Sequence, residues 1–133
     1  ALAKNNVNIK GTILKPNMIT AGSLCESQAS IQQVAEMTVR CLQENVPADL
    51  PGVTFLSGGQ SEINSTAHLD AMNKIGGFPW KLSFSYGRAL QQAALKSWLG
   101  KTENMPSAQA ALSHRALMNK LAAQGAWSSD LEV

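Results

Sequence analysis

Lys15 closes an apolar stretch of the chain and is followed at once by Pro16, within the sequence GTILKPNM. A neutral lysine amine can attack a ketone and form a Schiff base. Burial and neighbouring cations both lower the pKa of a lysine and so favour the neutral amine. Lys15 is therefore the candidate for covalent chemistry. The alternative from spacing alone is an ordinary solvated lysine at the end of a strand.

Two further groups of small and basic residues have the composition of a phosphate site. They are Ser57, Gly58 and Gly59 in SGGQSE, and Ser85, Gly87 and Arg88 in SFSYGR. Glycines allow the backbone to approach an anion closely, and a helix that follows them offers N–H groups with a positive dipole end. An arginine can hold a phosphate with two parallel hydrogen bonds. The alternative for SGGQSE is a plain turn from strand to helix.

The elements that must position these groups alternate between strand and helix. Strands are predicted at 8–14, 52–57 and 80–85. The first helix has Ser27 as its predicted N-cap and ends near Val46, and three more helices are predicted at 61–74, 88–99 and 106–124. This β-α-β-α-β-α-α order predicts a parallel sheet covered by helices. Because the carboxyl ends of parallel strands share one edge, the three candidate groups are expected to converge there.

The predicted alternation of the first strand indicates which residues share a face with Lys15. Alternation places Gly11, Ile13 and Lys15 on one face of that strand. If this face points into a barrel, Lys15 lies at the mouth of an apolar interior.

Composition excludes several other classes of protein. The chain has 133 residues, a net charge of +2 and 44% hydrophobic residues, which argues against a disordered, membrane-spanning or nucleic-acid-binding protein. Cys25 and Cys41 lack CxxC spacing and are interpreted as reduced, packed thiols of a cytoplasmic protein. His68 and His114 are isolated and are interpreted as surface or packing residues. No group of residues has the spacing of metal ligands.

Five stretches together resemble the C-terminal part of class I fructose-1,6-bisphosphate aldolase. They are GTILKPNM, GVTFLSGGQSE, DAMNK, PWKLSFSYGRALQ and LKSWLGKTEN, and the resemblance runs from about Ile9 to Gln124. It implies that residues 1–133 form the C-terminal portion of a single (β/α)8 TIM-barrel domain and supply its last three βα units. It also implies a metal-independent lyase without a cofactor, a sugar phosphate substrate, a cytoplasmic location and a homotetramer.

The resemblance also assigns roles to the candidate residues. Lys15 would be the Schiff-base lysine that attacks the C2 ketone of fructose 1,6-bisphosphate. The group Ser57, Gly58 and Gly59 would bind the 1-phosphate, and Ser85, Gly87 and Arg88 would complete that site. The family reversibly cleaves the bisphosphate to dihydroxyacetone phosphate and glyceraldehyde 3-phosphate in glycolysis and gluconeogenesis.

The sequence departs from the family pattern at both ends. It begins without a methionine, and the remaining strands of the eight-stranded barrel would lie upstream, together with the family's proton-transfer carboxylates. It ends with GAWSSDLEV, without the tyrosine that often closes the family's longer tail. We therefore expect a fragment of a longer protein. The alternative is that the isolated chain is a non-catalytic phosphate-binding fragment or a structural module.

Overall fold

The computed structural model describes residues 1–132 and consists of a small sheet covered by helices. The elements in chain order are β1 Ile13–Leu14, α1 Ile31–Asn45, β2 Gly52–Phe55, α2 Glu62–Ile75, β3 Lys81–Phe84, α3 Arg88–Trp98 and α4 Met105–Ala122. Short 3-10 turns lie at Ala3–Asn5, Ile9–Gly11, Thr102–Asn104 and Ser129–Leu131. The predicted order of strands and helices is confirmed.

The three strands form one parallel sheet in the order β1-β2-β3. Ile13 pairs with Gly52, and Gly52 pairs in turn with Lys81, so one register line crosses the whole sheet. The carboxyl ends of all three strands consequently lie at the same edge. This confirms the predicted α/β class with parallel strands.

The first strand is much shorter than the predicted span 8–14. Its beginning is replaced by the 3-10 turn Ile9–Gly11, because the Asn8 side chain accepts a hydrogen bond from the Lys10 N–H at 3.1 Å. The Thr12 hydroxyl adds a bond to the Asn8 carbonyl at 2.9 Å. Asparagine commonly offers the backbone such local partners, which compete with a sheet ladder. Gly11 is therefore part of a turn and does not share a strand face with Ile13.

The N-cap of the first helix lies three residues beyond the proposed cap Ser27. Ser30 is the N-cap: its hydroxyl accepts from the Gln33 N–H at 3.2 Å, and the Gln33 side chain accepts from the Ser30 N–H at 2.9 Å. This reciprocal capping box satisfies two N–H groups that a helix start otherwise leaves without partners. The sequence S-I-Q-Q was the available signal for it. The ends of the other elements lie within two residues of the predicted positions.

Helix α2 is the central helix of the layer that covers the sheet. It contacts α1, α3, α4 and β3. Every residue from Ser65 to Asp70 is buried, including the polar ones, so this helix has no long solvent-facing side. The hydrophobic core between α2, α1 and the sheet includes Val34, Val39, Leu42, Val53, Phe55, Leu69, Met72 and Leu82. A change in α2 therefore reaches both the sheet and the neighbouring helices.

Two smaller expectations have separate outcomes. Cys25 and Cys41 are free thiols, but both are exposed, so the expectation that they are packed is wrong. No helix within the described part of the chain combines the length and the apolar character that crossing a membrane requires.

Candidate functional site

The segments that follow the three strands lie side by side at the carboxyl edge of the sheet. The Leu56 N–H donates to the Pro16 carbonyl at 3.0 Å, and the Ser85 N–H donates to the Phe55 carbonyl at 2.9 Å. These bonds continue the parallel ladder beyond the strands themselves. The backbone of the Lys15 segment is thus joined to the segment that leads into Ser57, which is joined in turn to the segment at Ser85.

The Lys15 side of β1 is open in the part of the chain described. Ile13 is 56% exposed, and Lys15 is exposed as well, whereas Leu14 is half-buried against the helical layer. The expected apolar interior around Lys15 is therefore not built by residues 1–132. Lys15 does stand at the predicted strand end, at the same edge of the sheet as the other two candidate segments and next to the one that leads into Ser57.

The loop Ser57–Gly59 turns sharply and presents its backbone to solvent. Gly58 and Gly59 have φ of 56° and 83°, a region that residues with a side chain rarely adopt. The Gln60 N–H closes the turn on the Ser57 carbonyl at 3.0 Å. Ser61 then caps α2 by accepting from the Asn64 N–H at 3.1 Å. The loop therefore places exposed backbone directly before the start of a helix.

Asn17 packs directly on this glycine loop. A Cβ atom placed on Gly58 would lie 2.4 Å from Asn17 Oδ1, which is closer than real contacts allow. The same Oδ1 accepts from the Met18 N–H at 2.9 Å, which fixes its position. The absence of a side chain at Gly58 is thus what lets the segment after Lys15 approach the loop.

The third candidate group surrounds the start of α3. Gly87 is the N-cap and has no side chain to bond the first turn, and Arg88 is the first helical residue. Ser85, Gly87 and Arg88 are all exposed. Positive charge and free helix N–H groups at this end are favourable for an anion. An arginine in this position can supply two parallel hydrogen bonds.

Tyr86 fixes this corner to the central helix. Its ring is buried, and its hydroxyl donates to the Ser65 carbonyl at 2.8 Å. Burial raises the pKa of Tyr86 well above the usual tyrosine value, so the hydroxyl keeps its proton and stays a donor. The position of Arg88 is consequently set by a contact two residues earlier.

Sequence reasoning missed two side chains that connect these segments. The Gln60 amide donates to Met18 Sδ at 3.6 Å, and Gln60 Oε1 lies 2.6 Å from Nδ1 of His68. His68 was interpreted as a surface or packing residue; it is buried, and burial lowers its pKa, which favours the neutral ring. No local sequence signal links Gln60 to His68, because they meet only where the Gln60 side chain reaches from the loop to the second turn of α2.

Comparison with known proteins identifies the family. A sequence model described as fructose-bisphosphate aldolase class-I matches residues 1–133. The chain belongs to the class I fructose-bisphosphate aldolase family.

Relatives of this aldolase chain come from distant organisms. It is 56% identical over 128 residues to a probable fructose-bisphosphate aldolase class 1 of Xanthomonas axonopodis, covering 96% of this chain and 38% of that protein. It is 50% identical over 131 residues to fructose-bisphosphate aldolase 2 of Caenorhabditis elegans, covering 98% of this chain and 36% of that protein. The chain thus spans little more than a third of the length of these relatives.

A solved aldolase structure shares the fold of the chain. The structure is fructose-bisphosphate aldolase from Plasmodium falciparum, determined with TRAP and a small-molecule inhibitor. The TM-score is 0.94 at 48% identity, over 96% of this chain and 37% of that one. The fold described above is therefore that of part of an aldolase.

A second polar cluster of this aldolase chain lies on the other side of α2, and it too was not predicted from the sequence. Arg115 donates to both carboxylate oxygens of Glu132, at 2.9 and 2.6 Å, and the Trp127 indole donates to the same carboxylate at 2.9 Å. Burial opposes ionisation of Glu132, but the hydrogen bonds from Arg115 and Trp127 and the charges of Arg115 and His114 outweigh it and hold its pKa below the ordinary value. The cluster fastens the C-terminal segment to α4.

Among residues 1–132, no group of three or more histidine, cysteine, aspartate or glutamate side chains is arranged to hold a metal ion.

Proposed function

We propose that residues 1–133 are the C-terminal portion of a single (β/α)8 barrel domain and supply its last three βα units. The complete protein would be a cytoplasmic, homotetrameric class I aldolase of glycolysis and gluconeogenesis. It would reversibly cleave fructose 1,6-bisphosphate to dihydroxyacetone phosphate and glyceraldehyde 3-phosphate. The observation that carries the proposal is the backbone bonding that joins the Lys15 segment to the Ser57 segment, and the Ser57 segment to the Ser85 segment, at one sheet edge in a chain of this family.

In the proposed reaction, Lys15 is the nucleophile. Its neutral Nζ attacks the C2 ketone, and with the uptake of one proton the C2 oxygen leaves as water, so that a protonated imine remains on C2. The C4 hydroxyl then loses its proton to a base and the C3–C4 bond breaks, which releases glyceraldehyde 3-phosphate as the aldehyde. The electron pair of the broken bond flows toward the positively charged imine and forms an enamine. Protonation of the enamine and hydrolysis of the imine then release dihydroxyacetone phosphate and restore the amine.

The proposed phosphate site orients the ketone toward Lys15. The backbone N–H groups of the Ser57–Gly59 loop and the Arg88 guanidinium would share the 1-phosphate, with Ser85 and Gly87 beside them. Because the fixed donors hold the phosphate, the ketone is already oriented when the Lys15 amine attacks it, so the reaction proceeds within one complex and not by a chance collision. The backbone bond from Leu56, directly before the glycine loop, to Pro16, directly after Lys15, supports this assignment.

The test is chemical trapping in the full-length protein. Dihydroxyacetone phosphate and borohydride are expected to leave a reduced, covalent adduct on Lys15, located by peptide mass mapping. Lys15→Met should abolish the adduct. Lys81→Met is the matched control, since Lys81 begins β3 at the opposite edge of the sheet, and it should trap normally. An adduct on another lysine, or none, contradicts the proposal.

A further inference from the structure

His68 lies inside the helical layer with one strong polar contact. It is 5% exposed, and its Nδ1 lies 2.6 Å from Gln60 Oε1. An amide oxygen can only accept a hydrogen bond, so Nδ1 carries the proton. Nε2 then carries no proton and can only accept a hydrogen bond, and it is buried without a hydrogen-bond partner among residues 1–132. A buried imidazole in this state loses the hydration of Nε2 and keeps a single directed bond, the one to Gln60.

Gln60 contacts both the glycine loop and the segment after Lys15, which the proposed chemistry requires to be correctly placed relative to each other. Its backbone N–H closes the glycine loop on Ser57, and its side-chain amide donates to Met18 Sδ at 3.6 Å. Met18 is three residues beyond Lys15 in the same stretch, GTILKPNM. The bond to His68 orients the Gln60 amide so that its nitrogen, and not its oxygen, faces Met18.

The loop itself offers few internal restraints. Gly58 and Gly59 both have positive φ and lack side chains, and both are exposed. Glycines have a wide range of backbone conformations, so such a loop keeps its shape through contacts at its ends. Gln60 is the residue directly at one of those ends, and it is only half-buried. Without the bond from His68, its side chain is free to turn toward water.

We propose that His68 is a positioning residue: it orients Gln60 and thereby holds the glycine loop against the Lys15 segment at the separation that a phosphate-bearing ketone needs. The inference rests on the proposed function and adds to it a residue from the interior of α2. A displacement of about 1 Å between a binding group and a nucleophile is enough to lower the rate of an oriented reaction.

The experiment compares two substitutions with two ketones in the full-length protein. In His68→Asn, the side-chain nitrogen stands where the imidazole Nδ1 stood and can still donate to Gln60. In His68→Leu, the side chain has similar branching but no donor. Borohydride trapping on Lys15 is followed with dihydroxyacetone phosphate and with dihydroxyacetone, which has the same ketone but no phosphate.

His68→Leu is expected to slow trapping of dihydroxyacetone phosphate by about 3- to 10-fold, the ratio that corresponds to one neutral hydrogen bond. Trapping of dihydroxyacetone should stay near the wild-type rate, which also shows that the variant is folded. His68→Asn should behave as wild type with both ketones. Gln60→Leu should reproduce the selective loss, and the double variant should lose no more than either single one.

Several results would overturn the inference. Equal losses for both ketones, or equal losses for Leu and Asn at position 68, would show that His68 acts through packing alone. Gln60 is half-buried and lies in a loop, so Gln60→Leu is expected to fold, and an unaffected Gln60→Leu would refute the inference even if His68→Leu failed to fold. Failure of the proposed function is distinguishable, because the wild-type protein would then form no adduct on Lys15.

Discussion

Replacement of Gly58 by alanine should be far more damaging than replacement of its neighbour Gly59. Both residues have positive φ, 56° and 83°, so an alanine at either position costs about 1–2 kcal/mol in backbone conformation. At Gly58 the new Cβ would also lie 2.4, 2.9 and 3.0 Å from Oδ1, Nδ2 and Cγ of Asn17. At Gly59 there is no atom within 4 Å. The pair therefore separates the backbone cost from the steric cost.

The steric cost at Gly58 can be worked out from what Asn17 must give up. Turning Asn17 away from its rotamer costs about 0.5–1.5 kcal/mol, and losing its hydrogen bond to the Met18 N–H costs a similar amount. Gly58→Ala should thus lower the free energy of unfolding by about 2–5 kcal/mol in total, against about 1–2 kcal/mol for Gly59→Ala.

The assay is urea unfolding of the full-length protein at fixed concentration, together with the trapping of dihydroxyacetone phosphate on Lys15. Asn17→Ala removes all three atoms that the new Cβ would meet. In that background, Gly58→Ala should cost only the backbone amount of about 1–2 kcal/mol. Equal losses for the two glycine variants, or no relief from Asn17→Ala, would refute the reasoning.

Two further predictions concern charged groups. Arg88→Lys should raise the KM for fructose 1,6-bisphosphate about tenfold with little change in kcat, because an ammonium cannot form the two parallel bonds of a guanidinium. A fall in kcat of about tenfold in steady-state kinetics would contradict the assignment. Glu132→Gln should lower the free energy of unfolding by about 2–3 kcal/mol at pH 7, since Arg115 loses a charged partner. The pKa of Glu132 is depressed in the folded state, so this stabilisation is complete above the unfolded-state value of about 4.3 and is lost as the pH falls through the folded-state pKa. Urea unfolding between pH 3 and pH 7 should therefore show the two curves converging toward the acid end, and a constant gap would contradict it.

Much of the fold follows from local patterns in the chain. The apolar positions Val34, Val39 and Leu42 recur at helical spacing and are three of the five buried positions of α1. The strand predicted at 52–57 matches β2, with Gly58 and Gly59 beyond its end, and Gly125, with φ of 66°, follows α4. Such features need only neighbours within one or two turns, so the sequence carries them directly.

What escaped prediction depends on contacts between distant residues or on competing local bonds. Asn8 turned a predicted strand start into a 3-10 turn by one side-chain bond, which hydrophobic periodicity does not register. The contacts of Arg115 with Glu132 exist only because α4 and the C-terminal segment meet beside α2. The convergence of the candidate site residues was predictable, in contrast, because parallel strands must end at one edge. The roles of those residues remain proposals.

The strand order β1-β2-β3 repeats the order of the chain, so each strand pairs with the strand one βα unit away. Every pairing then closes a chain segment of similar size, and the entropy lost in each closure changes only slowly with segment length. Within this three-stranded sheet, no pairing requires a strand from a remote part of the sequence. The sheet can therefore fold one βα unit at a time, because each folded unit offers a strand with which the next unit pairs. The seam between two neighbouring units is the natural place at which such an architecture can be extended or divided.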